Sequence, residues 1–372
     1  MMAAGQETAR GGPSTHDAFG PHGGSVERIR RAYAFERPDR IPRFDGFWSY
    51  PEDWRARFGA PEELSDIEIW VPDEGAFCTR EKVVRSDAEG TVLVDAWGAT
   101  KRERSGAYFQ ETLEVAIPLG TRPDTVSFDP PDLDVRFGEP RDARAARRFV
   151  FGKTGGPYLR TTYVRGENQF LIDIATDDGL ARALADKMAD HLAAVGVEEI
   201  RRWNLQDTGM SIWDDMAFNQ APMFSPSQFE RIFLPGYRRM IKAFREAGAP
   251  RVFLHSDGNV LPLLDMLVDA GIDGLNPLER RAGMDPFEIR SRFPRLVLLG
   301  GMDNTDTLIQ GPADRVEAEA RALIDLGREG GLVIGTHSVS PEVPKENFAI
   351  YDRCCRTYGD FRGPKARSGR GA

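Results

Sequence analysis

Arg251-Val252-Phe253-Leu254-His255-Ser256-Asp257-Gly258 decides how this chain folds. A short apolar run ends in a polar turn, and a helix-like run begins near Asn259. That is the pattern of a buried strand feeding a helix. Moving outward, the same alternation recurs. Strands Gly274-Leu275-Asn276-Pro277, Leu296-Val297-Leu298-Leu299 and Leu332-Val333-Ile334-Gly335 follow. Between and after them come Asp285-Pro286-Phe287-Glu288, which resembles a capping box, a helix near 312–328, and a last helix opening near Pro344 and ending near Gly359. Upstream, Phe149-Val150-Phe151 reads as a strand, and Gly152 to Gly156 as a glycine-rich connection without phosphate-loop spacing. Leu180 to Asn204 reads as a long helix, and Met210-Ser211-Ile212-Trp213 as a strand ending in Asp214-Asp215. Ser225-Pro226-Ser227-Gln228 opens a further helix, with Phe229, Phe233, Tyr237, Met240, Ile241 and Phe244 at helical spacing. Strands separated by helices make a parallel sheet, so the fold class expected is α/β, a (β/α)8 TIM barrel. No glycine fingerprint for a dinucleotide opens the repeat, which argues against an open doubly wound sheet.

The first part of the chain is organised differently. Ser25 is expected to cap a first helix, and Phe44 to Trp48 a strand entering the core. Between Lys82 and Pro118 the period shortens. Val83-Val84 and Thr91 to Val94 flank the turn-forming Asp87 to Gly90, with Tyr108-Phe109 and Leu113 to Ile117 continuing the sheet. This is expected to be an antiparallel β excursion, a hairpin insertion over 80–120, on a barrel spanning 25–360. Residues 1–24 are expected to form a disordered tail and 361–372 a basic one.

Net charge −9 argues against a general nucleic-acid surface, which needs a basic footprint. No apolar run approaches the roughly 18 residues of a membrane helix, and the N-terminus lacks the apolar core of a signal peptide, so a cytoplasmic enzyme is expected. Three cysteines, Cys78, Cys354 and Cys355, are too few for a disulfide framework and are read as buried structural residues.

Chemistry in such barrels gathers at the C-terminal ends of the strands. Read in order, those ends carry Asp214 and Asp215, His255 with Asp257, Asn276 with Glu279, Asp303, and His337. Carboxylates are common in loops, but the chain has only five histidines. His16 and His22 lie in the tail and His191 on a helix, so the two that close strands, His255 and His337, are expected to share a site. A divalent metal held by these two and one or two of Asp257, Glu279, Asp214 and Asp215 is one reading. Metal-free acid–base chemistry by His255 and a carboxylate pair is another. Phe44, Phe47, Trp48 and Trp213 are candidates for an aromatic wall against substrate.

Four segments together resemble the uroporphyrinogen decarboxylase superfamily: Phe253 to Asn259, Ala270 to Glu279, Gly300 to Asp303 and Gly335 to Ser338. Asp95 to Gly98, Trp213 to Met216 and Pro344 to Asn347 agree with its decarboxylase-like members. The resemblance covers roughly 25–360 and implies a barrel and a homodimer. True decarboxylases of the family carry an N-terminal Arg-Gln-Ala-Gly-Arg segment that grips substrate carboxylates. Here the region reads Pro42 to Trp48, and the paired arginines are missing. The other branch contains methyltransferases that work with corrinoid proteins, coenzyme M or methoxylated aromatics and hold zinc with a His-x-Cys pair and a later Cys. His255-Ser256-Asp257 stands in place of that pair, and His337 lies near the position of the later Cys.

The leading expectation is therefore a zinc-dependent methyltransferase acting on a small molecule, with a corrinoid protein as partner. His255, Asp257 and His337 hold the metal, and Asp215, Glu279 or Asp214 serves as a further ligand or proton acceptor. Phe47, Trp48, Trp213, Asn276 and Arg165 are expected at the substrate. The alternative is a decarboxylase of a small carboxylated substrate, with Asp45 or Asp215 stabilising positive charge and Arg160 or Arg165 holding the carboxylate. A non-catalytic ligand-binding barrel is the third reading.

Overall fold

The structure is a computed structural model and describes residues 24–362 apart from 108–109 and 144–146. The expected tails, all but Gly24 of the first and residues 363–372 of the second, lie outside the described residues, as does the expected strand at Tyr108-Phe109. Eleven strands are described: β1 (Ile67–Trp70), β2 (Lys82–Asp87), β3 (Gly90–Val94), β4 (Thr100–Glu103), β5 (Glu111–Glu114), β6 (Phe149–Gly155), β7 (Gly209–Trp213), β8 (Arg251–His255), β9 (Gly274–Asn276), β10 (Val297–Gly301) and β11 (Leu332–Gly335).

Seven of them form one parallel sheet in the order β1-β6-β7-β8-β9-β10-β11. The helices between them were anticipated in kind: Asp178–Arg202, Leu264–Ala270, Pro286–Arg292, Ala313–Leu326 and Lys345–Thr357. The expected closed barrel of eight regular strands is not formed. Residues 42–46 run between the two edge strands and touch each through separate hydrogen bonds rather than a ladder. Phe44 N–H donates to Ile334 O and Ile334 N–H to Pro42 O on one side, while Asp66 N–H donates to Arg43 O on the other. Pro42 removes a ladder donor at this position. The excursion is confirmed as a separate antiparallel sheet, β2-β3-β4-β5, whose outer strand β2 is exposed throughout.

Strand alternation divides the apolar residues into two cores. Ile67, Phe149, Phe151, Phe253, Val297, Leu299 and Val333 fill the concave face of the sheet, closed below by Ile29 and Ala32 of the first helix, Ser25–Ala34. The other strand faces join the larger cluster with the helices.

Local details correct several expectations. Gly24, not Ser25, precedes the first helix; Ser25 Oγ instead donates to Asp66 Oδ1 at 2.6 Å. Asp66 also pairs with Arg28 and Arg40, and these partners hold its buried carboxyl at about 2. The Ser225–Gln228 capping box forms as read. Asp285 caps its helix by accepting from Phe287 and Glu288 N–H. Residues 152–155, read as a loop, continue β6.

Candidate metal and substrate site

Parallel register aligns the C-terminal ends of four strands. Gly155 lies opposite Trp213, Trp213 opposite His255, and His255 opposite Asn276. All four share the concave face with Phe149, Phe151 and Phe253, because each is an even number of residues along its own or a registered strand.

His255 is buried and held on two sides. Its Nδ1 is 2.5 Å from Asn276 Oδ1, and Asn276 Nδ2 donates to Leu299 O at 2.9 Å. The second bond fixes the amide, so Oδ1 is the acceptor and His255 Nδ1 carries the proton. Nε2 is left with its lone pair. The Trp213 indole stacks on the imidazole with centroids 4.1 Å apart. Burial pushes the His255 pKa down to about 4, so the ring is neutral near pH 7.

The free Nε2 looks toward two carboxylates, Asp257 Oδ1 at 3.6 Å and Asp215 Oδ1 at 3.9 Å. His337 Nε2 is 3.4 Å from the same Asp257 oxygen. One ligand atom from each of His255, Asp257 and His337 lies within 4.8 Å of the others. The Asp257 oxygen is buried without a hydrogen-bond partner among the described residues, and burial raises its pKa. A lone pair and a carboxylate oxygen facing each other repel unless a cation or proton lies between them. Two nitrogens and one oxygen at such spacing fit zinc with a position left open.

The loop carrying Asp257 is fixed from outside. Asp257 N–H donates to Asp215 Oδ1 at 3.1 Å, and Gly258 N–H to Glu279 Oε2 at 2.6 Å. Gly258 has φ +78, and a Cβ there would lie 2.6 Å from the Ala217 backbone. Both the turn and the close approach require glycine. Asp215 and Glu279 thus adjoin the cluster as braces of its loop.

Other candidates are placed elsewhere. Asp214 is fully buried and accepts from Tyr158 N, Leu159 N and the Tyr237 hydroxyl, capping the helix Pro157–Arg165. Burial raises its pKa to about 6. Arg165 pairs with Asp173 and donates to the carbonyls of Ile117 and Pro118. Arg160 pairs with Glu74. Asp45 accepts from Arg43, Thr336 and Tyr351 within the core. Asp303 caps the segment Asn304–Ile309. Phe44 packs on Phe253, Phe47 on Tyr50 and Phe348, and Trp48 is 64% exposed, so of the four aromatics Trp213 is the one set against His255. A cavity of about 340 Å3 lined by Arg40, Arg43, Arg55, Ser65, Asp66 and Cys355 opens beside residues preceding β1, at the opposite end of the sheet from this cluster.

Sequence reasoning missed Lys153. Treating 152–156 as a loop hid the alternation Phe149, Phe151, Lys153, which places the lysine on the concave face one level below Trp213. Its Nζ is 4.6 Å from the Trp213 ring centroid.

Fold and site together define a parallel β/α protein with a His/Asp cluster at its strand ends. The chain belongs to the uroporphyrinogen decarboxylase (URO-D) family, whose model matches residues 141–358. A curated relative named uroporphyrinogen decarboxylase, from Syntrophotalea carbinolica, is 30% identical over 141 residues, which are 36% of this chain and 37% of that protein. The match thus spans little more than a third of that relative's length. A solved structure described as a methyltransferase from Methanosarcina mazei superposes with TM-score 0.61 and 17% identity, covering 90% of this chain and 99% of that one. At that identity the likeness is one of fold. Among the described residues, no helix is long and apolar enough to cross a membrane.

Proposed function

We propose that this chain is a zinc-dependent methyltransferase acting on a small molecule, with His255, Asp257 and His337 as the protein ligands. The observation that carries this reading is the set of three ligand atoms within 4.8 Å, one of them a buried carboxylate oxygen without a hydrogen bond. Zinc at that position supplies Lewis-acid polarisation of a substrate heteroatom. Replacing thiolates with imidazole and carboxylate hardens the ligand set and suits an oxygen-bearing substrate.

The protein's own residues divide the remaining work. Asn276 holds the His255 tautomer, and Trp213 holds its ring plane. Asp215, 43% exposed at its side chain and pinned by Asp257 N–H, is the carboxylate placed to accept a proton at the open side. Glu279 keeps the Asp257 loop in register. The same reading takes residues 42–46 as the eighth stave of a barrel over 25–360. It also includes a corrinoid protein as methyl donor or acceptor, a homodimer and a cytoplasmic location.

Decarboxylation of a small carboxylated substrate is the second reading, favoured by the name of the curated relative. It loses its two expected carboxylate clamps, because Arg160 and Arg165 are already paired with Glu74 and Asp173. Elemental analysis of the purified chain tests the leading proposal. About one zinc per chain is expected, lost in His255→Ala and in His337→Ala. A metal-free chain that still transfers methyl groups defeats it, and carbon dioxide release without a methyl donor supports the second reading.

A further inference from the structure

Lys153 stands apart from the other cations near the cluster. Arg160 and Arg165 each lie against a carboxylate, as do Arg28, Arg40 and Arg43 around β1. Lys153 Nζ has no ion pair and no hydrogen bond among the described residues; its contact is the face of Trp213. Glu74, Asp215 and Glu199 lie near enough to favour its charge, but none pairs with it directly. Glu74 takes Gly155 N–H and Arg160, Glu199 takes the Lys153 backbone N–H, and Asp215 takes Asp257 N–H. The side chain is half-buried, and burial lowers its pKa. A half-buried charge without an ion pair is held in place but left open to a group of opposite sign, which would gain from its partial shelter. Cation–π contact recovers only part of the lost hydration.

Position says what that partner belongs to. β6 and β8 flank β7, so Lys153 and His255 approach Trp213 from opposite sides. Both lie on the concave face at the strand ends. We propose that Lys153 binds an anionic group of the substrate, a carboxylate or a group of like charge, and that the substrate is a small organic acid. Its charged end lies on the Lys153 side of Trp213 and its reacting end on the His255 side. This rests on the reading of the His/Asp cluster as the reaction site. It gives the substrate class that the paired arginines do not.

The test compares benzoate with its uncharged counterpart benzamide by calorimetric titration of the full chain. Wild type, Lys153→Met and Lys153→Arg are each titrated zinc-loaded and chelator-treated, with zinc content measured on every sample. The chelator-treated series removes direct carboxylate–zinc bonding from the comparison. Wild type is expected to bind benzoate at least about tenfold more tightly than benzamide in both series, the scale of one charge-assisted contact. Lys153→Met is expected to bring the two within about twofold, and Lys153→Arg to keep most of the preference. Equal affinities in wild type, absence of binding by either compound, or a preference unchanged in Lys153→Met overturns the proposal. Failure of wild type to hold zinc instead strikes the metal reading and leaves the chelator-treated comparison to decide the role of Lys153.

Discussion

The Trp213 indole lies on the His255 imidazole at 4.1 Å with 19° between the planes, while Asn276 Oδ1 accepts the hydrogen bond of the ring's Nδ1–H. One contact sets the ring plane and the other its tautomer, so the direction of the free Nε2 is determined by residues that bind no metal themselves. Asn276→Ala should weaken zinc binding about 10–100-fold without unfolding the chain, as loss of an outer hydrogen bond to a ligating histidine does. Competition with a chromophoric chelator measures it; unchanged affinity would show that His255 is not a ligand.

Asp257 offers a sharper exchange. Asp257→Cys exchanges a carboxylate for a thiolate at the same position, and softer ligands favour zinc and cadmium over magnesium or manganese. Cadmium affinity should rise relative to manganese in Asp257→Cys and fall for both metals in Asp257→Ala. Identical metal preference in the two variants would remove Asp257 from the coordination shell.

Asp214 is predicted to be a fold residue rather than a reacting one. Asp214→Ala leaves two backbone N–H groups and the Tyr237 hydroxyl without their acceptor inside the core. The expected cost is about 2–4 kcal/mol in denaturant unfolding, with zinc stoichiometry unchanged. Loss of zinc at unchanged stability would reverse the assignment.

His191 gives a pH signature away from the metal. Its Nε2 lies 3.0 Å from the Glu74 carbonyl, and burial lowers its pKa to about 4. The unfolded chain, with the ordinary value of 6.5, binds more protons between these limits. The contribution of His191 to stability should therefore be full above about pH 6.5 and be lost on acidification toward 4, by up to about 3 kcal/mol. His191→Gln should flatten that part of the profile. Asp214 and Asp273, raised by burial to about 6 and about 7, act with the opposite sign in the same window, so the check is the difference between the two profiles. A wild-type minus His191→Gln difference that is level between pH 6.5 and 4 would contradict the burial of a neutral imidazole.

Most of the parallel sheet was legible because β7, β8, β10 and β11 are apolar runs bounded by polar turns. Their ends could be read as one face, which brings His255 and His337 together from the sequence alone. Three features escaped. β1, Ile67-Glu68-Ile69-Trp70, alternates too briefly to stand out from its loop. β6 hid behind glycines at 152 and 155, where Cβ atoms would meet Met210 and Arg160, so close packing mimicked a turn signal and concealed Lys153. The adjacent Asp214 and Asp215 looked alike in sequence, yet alternation sends one to a helix N-terminus and the other to the cluster.

The segment bridging the sheet edges reaches beyond Ile334. Gly46 N–H donates to Thr336 O, Val339 N–H to Gly46 O and Trp48 N–H to Val339 O, so the turn bearing His337 is strapped on both sides by the chain's first fifty residues. Closing that strap joins points almost three hundred residues apart, a contact whose loop entropy must be met before any bond rewards it. His255 and Asp257 belong to one short loop and form with their strand. The third ligand of the proposed site follows β11 and is held in addition by this distant segment, so its placement draws on a contact of long sequence separation that the other two ligands do not need. A fragment beginning at residue 141 would carry all three side chains and none of the strap.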